Sequence, residues 1–474
     1  MDEQFDIVFE KKPLAKGSPE LRWIGKHALE SAGYYPARLR ERYSNAAGDE
    51  WVNRVYHGDN LRVMGHMLKE FHGKIGLIYI DPPFNSKTNY KKKITLRGQQ
   101  GANAGFSIEE KQYGDIWTND DYFQFLYERL ILMRELLSDT GSIYIHLDYH
   151  KVHYIRCIMD EVFGAGGFQR ELIWQLHGIS GYKSLVDNYI RGHDTILYYT
   201  KSNARVFNKE YLPYSKAQLK RFSAIDKDGR RYKSITKDRV MYLDESKGVP
   251  VSDVWSDIAS FQTVVNSPEI LNYPTQKPEA LAERIIRASS NPGDIVFDCF
   301  MGSGTTLSAA LKHGRRFIGA DINPGAVHTA SNRLITAAAG IGESMLPGSG
   351  KYIGFEVYDV NDGFAGEATG EEFSSGAIDI AAEGGRLVIR QFQPSNLIRK
   401  LSLREAAVDD WRQLAESVMI DWNYDGAVLA PSVTDVPGRK DLVEGVYDIP
   451  GNASRIRVKI TDILSESFEA EFCQ

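Results

Sequence analysis

The chain of 474 residues is long enough for two or three domains, and its 42% hydrophobic and 25% charged residues are typical of a globular protein. The N-terminus lacks the order of a secretory signal, and no apolar run approaches the roughly 20 residues that span a bilayer, so we expect a cytoplasmic location without membrane contact. Three widely separated cysteines predict neither a disulfide framework nor a metal site: Cys157, Cys299 and Cys473.

The net charge of −6 is distributed unevenly along the chain. Residues 341–474 contain 12 Lys and Arg against 23 Asp and Glu, whereas residues 201–250 contain 13 basic and 6 acidic residues. The basic middle is where we expect a polyanionic partner, and the acidic end favours a protein interface, with a second copy or another subunit.

The first elements lead to a buried strand. Residues 1–50 are polar and mixed, and we interpret them as an N-terminal extension packed on the main domain. A short strand at 54–57 ends in Gly58-Asp59, and helical periodicity follows at 60–71. The apolar run at 75–80 is typical of a buried strand of a parallel sheet.

The segment Asp81-Pro82-Pro83-Phe84 follows that strand directly. The prolines end the strand, which leaves the Asp81 carboxylate and the Pro82 carbonyl as acceptors at the carboxyl edge of the sheet, where ligands bind in open α/β folds. Two acceptors beside the flat face of Phe84 suit a planar group with an exocyclic amine, such as adenine or cytosine. The alternative is a strand-ending turn with a solvated aspartate.

Residues 85–114 form a long basic, glycine-rich and aperiodic segment. A loop of this length is functional or disordered, and we interpret it as a phosphate-contacting flap or as a solvated charge run. Its basic residues are Lys87, Lys91, Lys92, Lys93 and Arg97.

Alternating elements continue after this loop. The pattern predicts helices at 120–138 and 152–163 and strands at 143–147, 171–175 and 194–200, which indicates an α/β sheet. His146 and Asp148, at the end of one strand, are expected to be packing and capping groups.

The periodicity breaks at residues 203–254, where basic residues alternate with aromatic ones. This composition favours contacts to a nucleic-acid backbone and its bases, and the alternative is a solvated insert. The basic residues chosen as candidates are Arg221, Arg230, Arg231 and Lys233.

A nucleoside-binding pattern follows the break. A helix at 280–289 leads to a strand at 295–300, the turn 301–306 with Gly302 and Gly304, a helix from 307 and a strand at 316–320 with Asp321 at its tip. The glycines allow a close approach to a ligand, and the acidic tip suits ribose hydroxyls. The turn matches neither a Walker loop nor the full dinucleotide fingerprint, which favours a nucleoside without a pyrophosphate.

The remaining chain reads as a linker at 336–350 and a β-rich accessory domain at 351–474, with one helix near 403–418.

Together these motifs resemble the β-class S-adenosylmethionine-dependent amino methyltransferases of DNA. The resemblance covers residues 51–335 and includes Gly58-Asp59, the Asp81–Phe84 segment, the run HDTILYYTKS at 193–202, the run YPTQKP at 273–278 and the glycine turn. The order of motifs implies a circularly permuted Rossmann-like sheet, with 51–202 as catalytic half, 203–254 as target-recognition region and 255–335 as cofactor half. The segments HLD and VHYIRCIMDEVFG look most like methylation subunits of type III restriction–modification systems.

The resemblance implies a site, a cofactor and partners. Asp81, Pro82, Pro83 and Phe84 would be catalytic, and S-adenosyl-L-methionine would be the cofactor. Its binding residues would be Asp59, Thr275, Lys277, Asp298, Phe300, Gly302, Ser303, Gly304, Thr305 and Asp321. Of these, Asp321 would bind the ribose hydroxyls and Thr275 and Lys277 would close the methionine end. Double-stranded DNA would be the substrate, with a second copy or a restriction subunit as partner.

The expected reaction is methylation of N6 of a flipped adenine. Asp at the first catalytic position and Phe at the fourth favour adenine over N4 of cytosine, which is the first alternative. The second is an inactive DNA-binding module on the same fold. The catalytic aspartate is expected to accept a hydrogen bond rather than take the proton, because a carboxylate of ordinary pKa near 4 is too weak a base for a neutral amine.

Overall fold

The structure is a computed structural model that describes residues 7–9, 17, 19–29, 31–43, 51–84, 88–98, 108–115, 117–176, 185, 187–271, 273–341, 354–360, 377–402, 408–438 and 440–473. Its strands are β1 (Ile7–Val8), β2 (Ser31–Ala32), β3 (Ala37–Tyr43), β4 (Asn53–His57), β5 (Ile75–Ile80), β6 (Thr88–Ile94), β7 (Ile108–Asp115), β8 (Leu137–Leu147), β9 (Phe168–Gln175), β10 (His193–Thr200), β11 (Tyr211–Leu212), β12 (Ala224–Ile225), β13 (Arg231–Thr236), β14 (Arg239–Tyr242), β15 (Val249–Pro250), β16 (Val254–Trp255), β17 (Ile295–Asp298), β18 (Arg316–Asp321), β19 (Phe355–Val360), β20 (Ile378–Glu383), β21 (Arg386–Phe392), β22 (Ala415–Asp421), β23 (Val433–Asp435), β24 (Val446–Asp448), β25 (Arg455–Asp462) and β26 (Ser467–Cys473). The helices are α1 (Asn60–Phe71), α2 (Asn119–Leu136), α3 (Val152–Phe163), α4 (Lys216–Leu219), α5 (Glu279–Ser289), α6 (Thr305–Lys312), α7 (Pro324–Ile341) and α8 (Ser395–Ser402).

The large sheet has the strand order β16-β9-β10-β8-β5-β17-β18-β4-β19-β3. Strands β4, β18, β17, β5 and β8 are parallel, and β10 runs antiparallel to both β8 and β9. Counted from β17 as the first strand, the parallel strands read 3-2-1-4-5, which is the doubly wound order. Since β4, β5 and β8 nevertheless come first in the chain, the predicted α/β class and the circular permutation are confirmed.

Helices cover both faces of this sheet. Successive residues of its inner strands point to opposite faces, and the residues on both faces are apolar and buried. Ile78 and Ile80 of β5 belong to the core under α1, α2 and α3, whereas Leu77 and Tyr79 belong to the core under α5, α6 and α7. A strand that is apolar on both faces is stable only between two layers, as the run at 75–80 predicts.

The domain boundaries differ from the sequence prediction in two places. Strand β19, from the predicted accessory domain, pairs with β4, and β3, from the predicted extension, pairs with β19, so both complete the large sheet. Helix α7 continues to Ile341 and so includes the first residues of the predicted linker at 336–350. These pairings join distant segments, which local patterns do not reveal.

The C-terminal part contains the sheets β20-β21-β24 and β23-β22-β25-β26. Its core includes Ile94 and Leu96 from the basic segment after the Asp81 turn, so these two residues pack on the C-terminal part. The helix expected near 403–418 was misplaced, because α8 ends at Ser402 and residues 415–418 begin β22, which is buried along most of its length.

The insert forms the small sheets β11-β15 and β12-β13-β14. Within the described ranges, no helix is long and apolar enough to cross a membrane.

Candidate active site

The loops that carry the predicted motifs meet where β17 and β5 lie side by side. Their connections leave in opposite directions, so a crevice opens outside the carboxyl ends of these strands, which is where doubly wound sheets bind ligands. A cavity of about 280 Å³ occupies this position. Among the predicted site residues, its lining includes Asp59, Asp81, Pro83, Thr275, Lys277, Asp298, Phe300, Gly302, Ser303, Thr305 and Asp321. Pro82, Phe84 and Gly304 lie beside the cavity without lining it.

The Asp81 turn is held by contacts on both sides. The Lys277 ammonium donates to Asp81 Oδ2, and the Tyr122 hydroxyl donates to the Pro83 carbonyl at 2.6 Å. Asp81 Oδ1 is buried and has no hydrogen-bond partner among the described residues. Such an orphaned carboxylate oxygen is costly unless a ligand satisfies it, so the turn presents a fixed acceptor at the cavity.

Lys277 contacts the acceptor turn as well as lining the cavity. The resemblance implies that it closes the methionine end of the cofactor, and in the structure its ammonium contacts Asp81, lies 3.3 Å from the Thr275 carbonyl and lies 5.3 Å from the centre of the Phe84 ring. Thr275 has φ of 63°, an uncommon conformation for a β-branched residue. Strain of this kind concentrates at functional sites, and here it turns Lys277 toward the acceptor turn.

The glycine turn takes the backbone conformation that its residues favour. Gly302 has φ of 48°, and its N–H donates to Asp321 Oδ2 at 3.0 Å, while the Asn323 N–H donates to Oδ1 at 2.9 Å. Gly304 has φ of 72° and precedes α6, and a Cβ there would lie 2.8 Å from the Ala330 Cβ. The turn therefore requires glycine at both positions, and Asp321 fixes it from the neighbouring strand.

Besides that of Asp81, the carboxyl groups of Asp59, Asp298 and Asp321 line the cavity. Burial raises the pKa of Asp298 to about 7, although the Phe300 N–H donates to it at 3.0 Å. Burial also raises the pKa of Asp321. Asp59 caps α1 through the Leu61 N–H, and its second oxygen binds Arg129 at 2.8 Å.

Aromatic side chains that were not predicted as site residues form one wall of the cavity. Trp117 lies 4.7 Å from Phe125, and Phe125 lies 6.1 Å from Phe300, measured between ring centres. Tyr273, Tyr79 and Asn60 also line the cavity. Of these residues, Tyr273 begins the YPTQKP run, whereas Trp117 and Phe125 lie outside the motifs.

His146 is buried directly beside the turn. Its Nδ1 lies 3.1 Å from the Tyr79 hydroxyl and its Nε2 lies 3.3 Å from Asp194 Oδ2. Burial lowers the pKa of His146 to about 3, so the ring is neutral, and it stacks on Phe84 at 6.1 Å. The geometry is that of a packing group, as expected.

The four basic candidates of the insert divide into two groups. Arg230 pairs with Asp244 and Glu245, Arg231 donates to the carbonyls of Leu219 and Phe222, and Lys233 lies over the rings of Tyr214 and Phe222. These three side chains therefore have partners within the insert, although Arg231 is also exposed. Arg221 is exposed. Lys87 and the side chains of Lys91, Lys92 and Lys93 lie outside the described residues.

Fold and site thus define a doubly wound α/β protein with an acid-lined ligand cavity and a fixed acceptor turn at the switch point. The family model described as DNA methylase, of the N6/N4 type, matches residues 75–332, which is more than half of the chain. The chain belongs to this family of DNA methyltransferases.

Several relatives are of known class. The type II methyltransferase M.EcaI of Enterobacter cloacae is 28% identical over 342 residues, which cover 61% of this chain and 71% of that protein. The Mod subunit of the type III restriction-modification enzyme StyLTI of Salmonella typhimurium is 28% identical over 388 residues, 65% of this chain and 59% of that protein. The DNA adenine methyltransferase YhdJ of Escherichia coli is 29% identical over 285 residues, 60% of this chain and 83% of that protein. The crystal structure of the M1.HpyAVI-SAM complex matches with a TM-score of 0.38 at 22% identity and covers 59% of this chain and 98% of that one.

Proposed function

We propose that this DNA methyltransferase transfers the methyl group of S-adenosyl-L-methionine to N6 of an adenine that is flipped out of double-stranded DNA. The observation that carries the proposal is the buried, unpartnered Oδ1 of Asp81 at the cavity between β5 and β17. It is an acceptor for an amino group, held beside a site for a nucleoside.

The residues of the cavity fit the cofactor. Asp321 lies at the tip of β18, where its carboxylate can bind ribose hydroxyls. Gly302 leaves space at the cavity, because a Cβ on this residue would lie only 3.2 Å from the Tyr273 ring. Asp298 and Asp59 supply carboxylates for a ligand that carries positive charge. When bound, S-adenosylmethionine supplies a methyl group made electrophilic by the adjacent sulfonium.

The protein's own task is to prepare the nucleophile. The lone pair of an aromatic amine is delocalised into its ring, and acceptance of both N–H bonds favours a tetrahedral nitrogen with a localised pair. Asp81 Oδ1 accepts a hydrogen bond from one N–H of the amine, and the Pro82 carbonyl accepts a hydrogen bond from the other, while both hydrogens stay on the nitrogen. Lys277 holds the second oxygen of Asp81, and Tyr122 occupies the neighbouring Pro83 carbonyl. Catalysis then rests on positioning and preorganised electrostatics.

The choice of adenine rests on the chemistry of the turn and on one relative. Asp81 with Phe84 is the combination that favours adenine over cytosine, and YhdJ is named as a DNA adenine methyltransferase. Phe84 provides the stacking platform for the extruded base, and the ring of His146 supports it from behind.

The partners follow from charge. The basic insert at 203–254 contacts DNA through its exposed cations such as Arg221, and the acidic C-terminal part binds protein, either a second copy or a restriction subunit. Relatives that are Mod subunits of restriction-modification enzymes favour the latter.

The test is transfer of labelled methyl groups from S-adenosylmethionine to unmethylated plasmid DNA, followed by mass spectrometry of the nucleosides. We expect N6-methyladenine, and loss of transfer in Asp81→Asn with cofactor binding retained. Asp139→Asn, an exposed aspartate at the opposite edge of the sheet, is the matched control. N4-methylcytosine would refute the adenine assignment, and equal activity of Asp81→Asn would refute the role of the turn. Sequencing that detects modified bases in DNA from a host expressing the chain would give the target site.

A further inference from the structure

A group of exposed aromatic and basic side chains lies just beyond the end of β8. Tyr149 is 58% exposed, and its ring lies tilted by 30° against that of His150 with centres 3.9 Å apart. The Arg191 guanidinium lies 6.0 Å from the centre of the Tyr149 ring, and Tyr189, two residues before it, is 99% exposed. We refer to Tyr149, His150, Tyr189 and Arg191 as the edge patch.

The edge patch is anchored from beneath. Asp148 is buried and accepts from the His150 N–H at 2.9 Å and from Nδ1 at 2.7 Å. Arg191 binds Asp194 and lies 3.8 Å from Asp148. A tyrosine held outward on a fixed platform loses little conformational freedom on binding, which makes it a good stacking surface.

The position of the patch relates it to the acceptor turn. Strands β5 and β8 are parallel neighbours in which Ile80 pairs with Ile145, so Asp81 is level with His146 at the same edge of the sheet. Tyr149 follows His146 by three residues, and the His146 ring stacks on Phe84. The edge patch is therefore one strand further along the edge that receives the extruded base.

We propose that Tyr149 stacks within the DNA duplex at the position that the target base vacates. This inference rests on the proposed function. Extrusion of a base leaves a gap whose neighbouring bases lose a stacking partner, and an aromatic side chain in that gap replaces it. Arg191 and His150 lie beside the ring and are themselves bound by Asp194 and Asp148, so they fix its position at this edge of the sheet. Tyr149 thus stabilises the flipped state without touching the reacting amine.

The test compares Tyr149→Ala and Tyr149→Phe on two duplexes that contain the target site found by sequencing. In one duplex the target adenine is paired, and in the other it lies opposite an abasic position, which removes most of the cost of extrusion. We expect Tyr149→Ala to lower kcat/KM on the paired duplex by about 10-fold to 100-fold, as stacking energies imply. On the unpaired duplex we expect the kcat/KM of this variant to be close to that of wild type. Tyr149→Phe should remain close to wild type on both.

The matched control is Tyr34→Ala. Tyr34 is 40% exposed, lies outside both the insert and the residues that line the cavity, and packs beside His66 of α1 with ring centres 5.5 Å apart. The inference is overturned if Tyr149→Ala loses nothing, if it loses equally on both duplexes, or if Tyr34→Ala reproduces its pattern. A wild-type chain that methylates neither duplex would instead refute the proposed function, on which this inference depends.

Discussion

Replacement of Asp298 by asparagine removes a buried carboxyl group from the cavity at nearly constant shape. Burial raises the pKa of this group from 3.8 to about 7 in the folded chain. The folded chain therefore keeps the proton to higher pH than the unfolded chain. The stability that this difference contributes is fully present below about pH 4 and is lost as the pH rises to about 7.

The magnitude follows from the two pKa values. A difference of about three units corresponds to about 4 kcal/mol over the whole range, and to about 3 kcal/mol between pH 5 and pH 8. The asparagine side chain of the variant has no proton to lose, and its oxygen still accepts from the Phe300 N–H. We therefore expect Asp298→Asn to gain about 3 kcal/mol of unfolding free energy relative to wild type when the pH is raised from 5 to 8.

The assay is urea unfolding of wild type and Asp298→Asn at pH 5 and pH 8. The result is the change in unfolding free energy between the two pH values, compared between the two proteins. His146, whose pKa is lowered to about 3 by burial, also titrates in the unfolded chain near pH 6.5, but it is common to both proteins and cancels. Parallel pH dependences of wild type and Asp298→Asn would refute the reasoning. The same argument predicts that S-adenosylmethionine, as a cation, binds wild type more tightly at pH 8 than at pH 6, and that calorimetry shows a smaller trend for Asp298→Asn, in which Asp321 remains.

Three further predictions concern the turn, the glycine loop and the insert. Lys277→Met leaves the Asp81 carboxylate without its cation, so it should lower the unfolding free energy by about 3 kcal/mol and abolish methyl transfer. Lys277→Arg should recover part of both. An unchanged unfolding free energy in Lys277→Met would contradict the pairing. Gly304→Ala forces a side chain onto a residue with φ of 72° and should cost about 2 kcal/mol in urea unfolding, so a wild-type midpoint would contradict the strain. Arg221→Gln should reduce the slope of log K for DNA binding against log salt concentration by about 0.9. Arg230→Gln should leave this slope unchanged, because the Arg230 guanidinium already pairs with two carboxylates. A reduced slope in Arg230→Gln and an unchanged one in Arg221→Gln would contradict these roles.

The parts of the site that could be predicted are those formed by residues that are adjacent in the sequence. The Asp81 turn and the glycine turn follow apolar strands, and the carboxyl ends of parallel strands meet at one edge, so their convergence was predictable. The contact of Lys277 with Asp81 joins residues 196 positions apart and depends on the strained backbone of Thr275, which no periodicity signals.

The same limit applies to the contacts within the basic insert and to the strands at one edge of the large sheet. Composition identified the insert as basic, but only the folded hairpin shows that Arg230 is used by Asp244 and Glu245. The pairing of β19 with β4 and β3 is likewise a contact between distant segments, which sequence patterns treat as separate units.

The pairing of β19 has a consequence for how the chain can be divided. Glu41 of β3 forms a buried ion pair with Lys459 of β25, and Ile94 and Leu96 of the segment after the acceptor turn belong to the C-terminal core. Cleavage in the predicted linker followed by removal of the C-terminal fragment would strip an inner strand from the large sheet and leave a carboxylate buried without its cation. Neither part would then be an independently folding unit. We therefore expect the two parts to unfold in one cooperative transition.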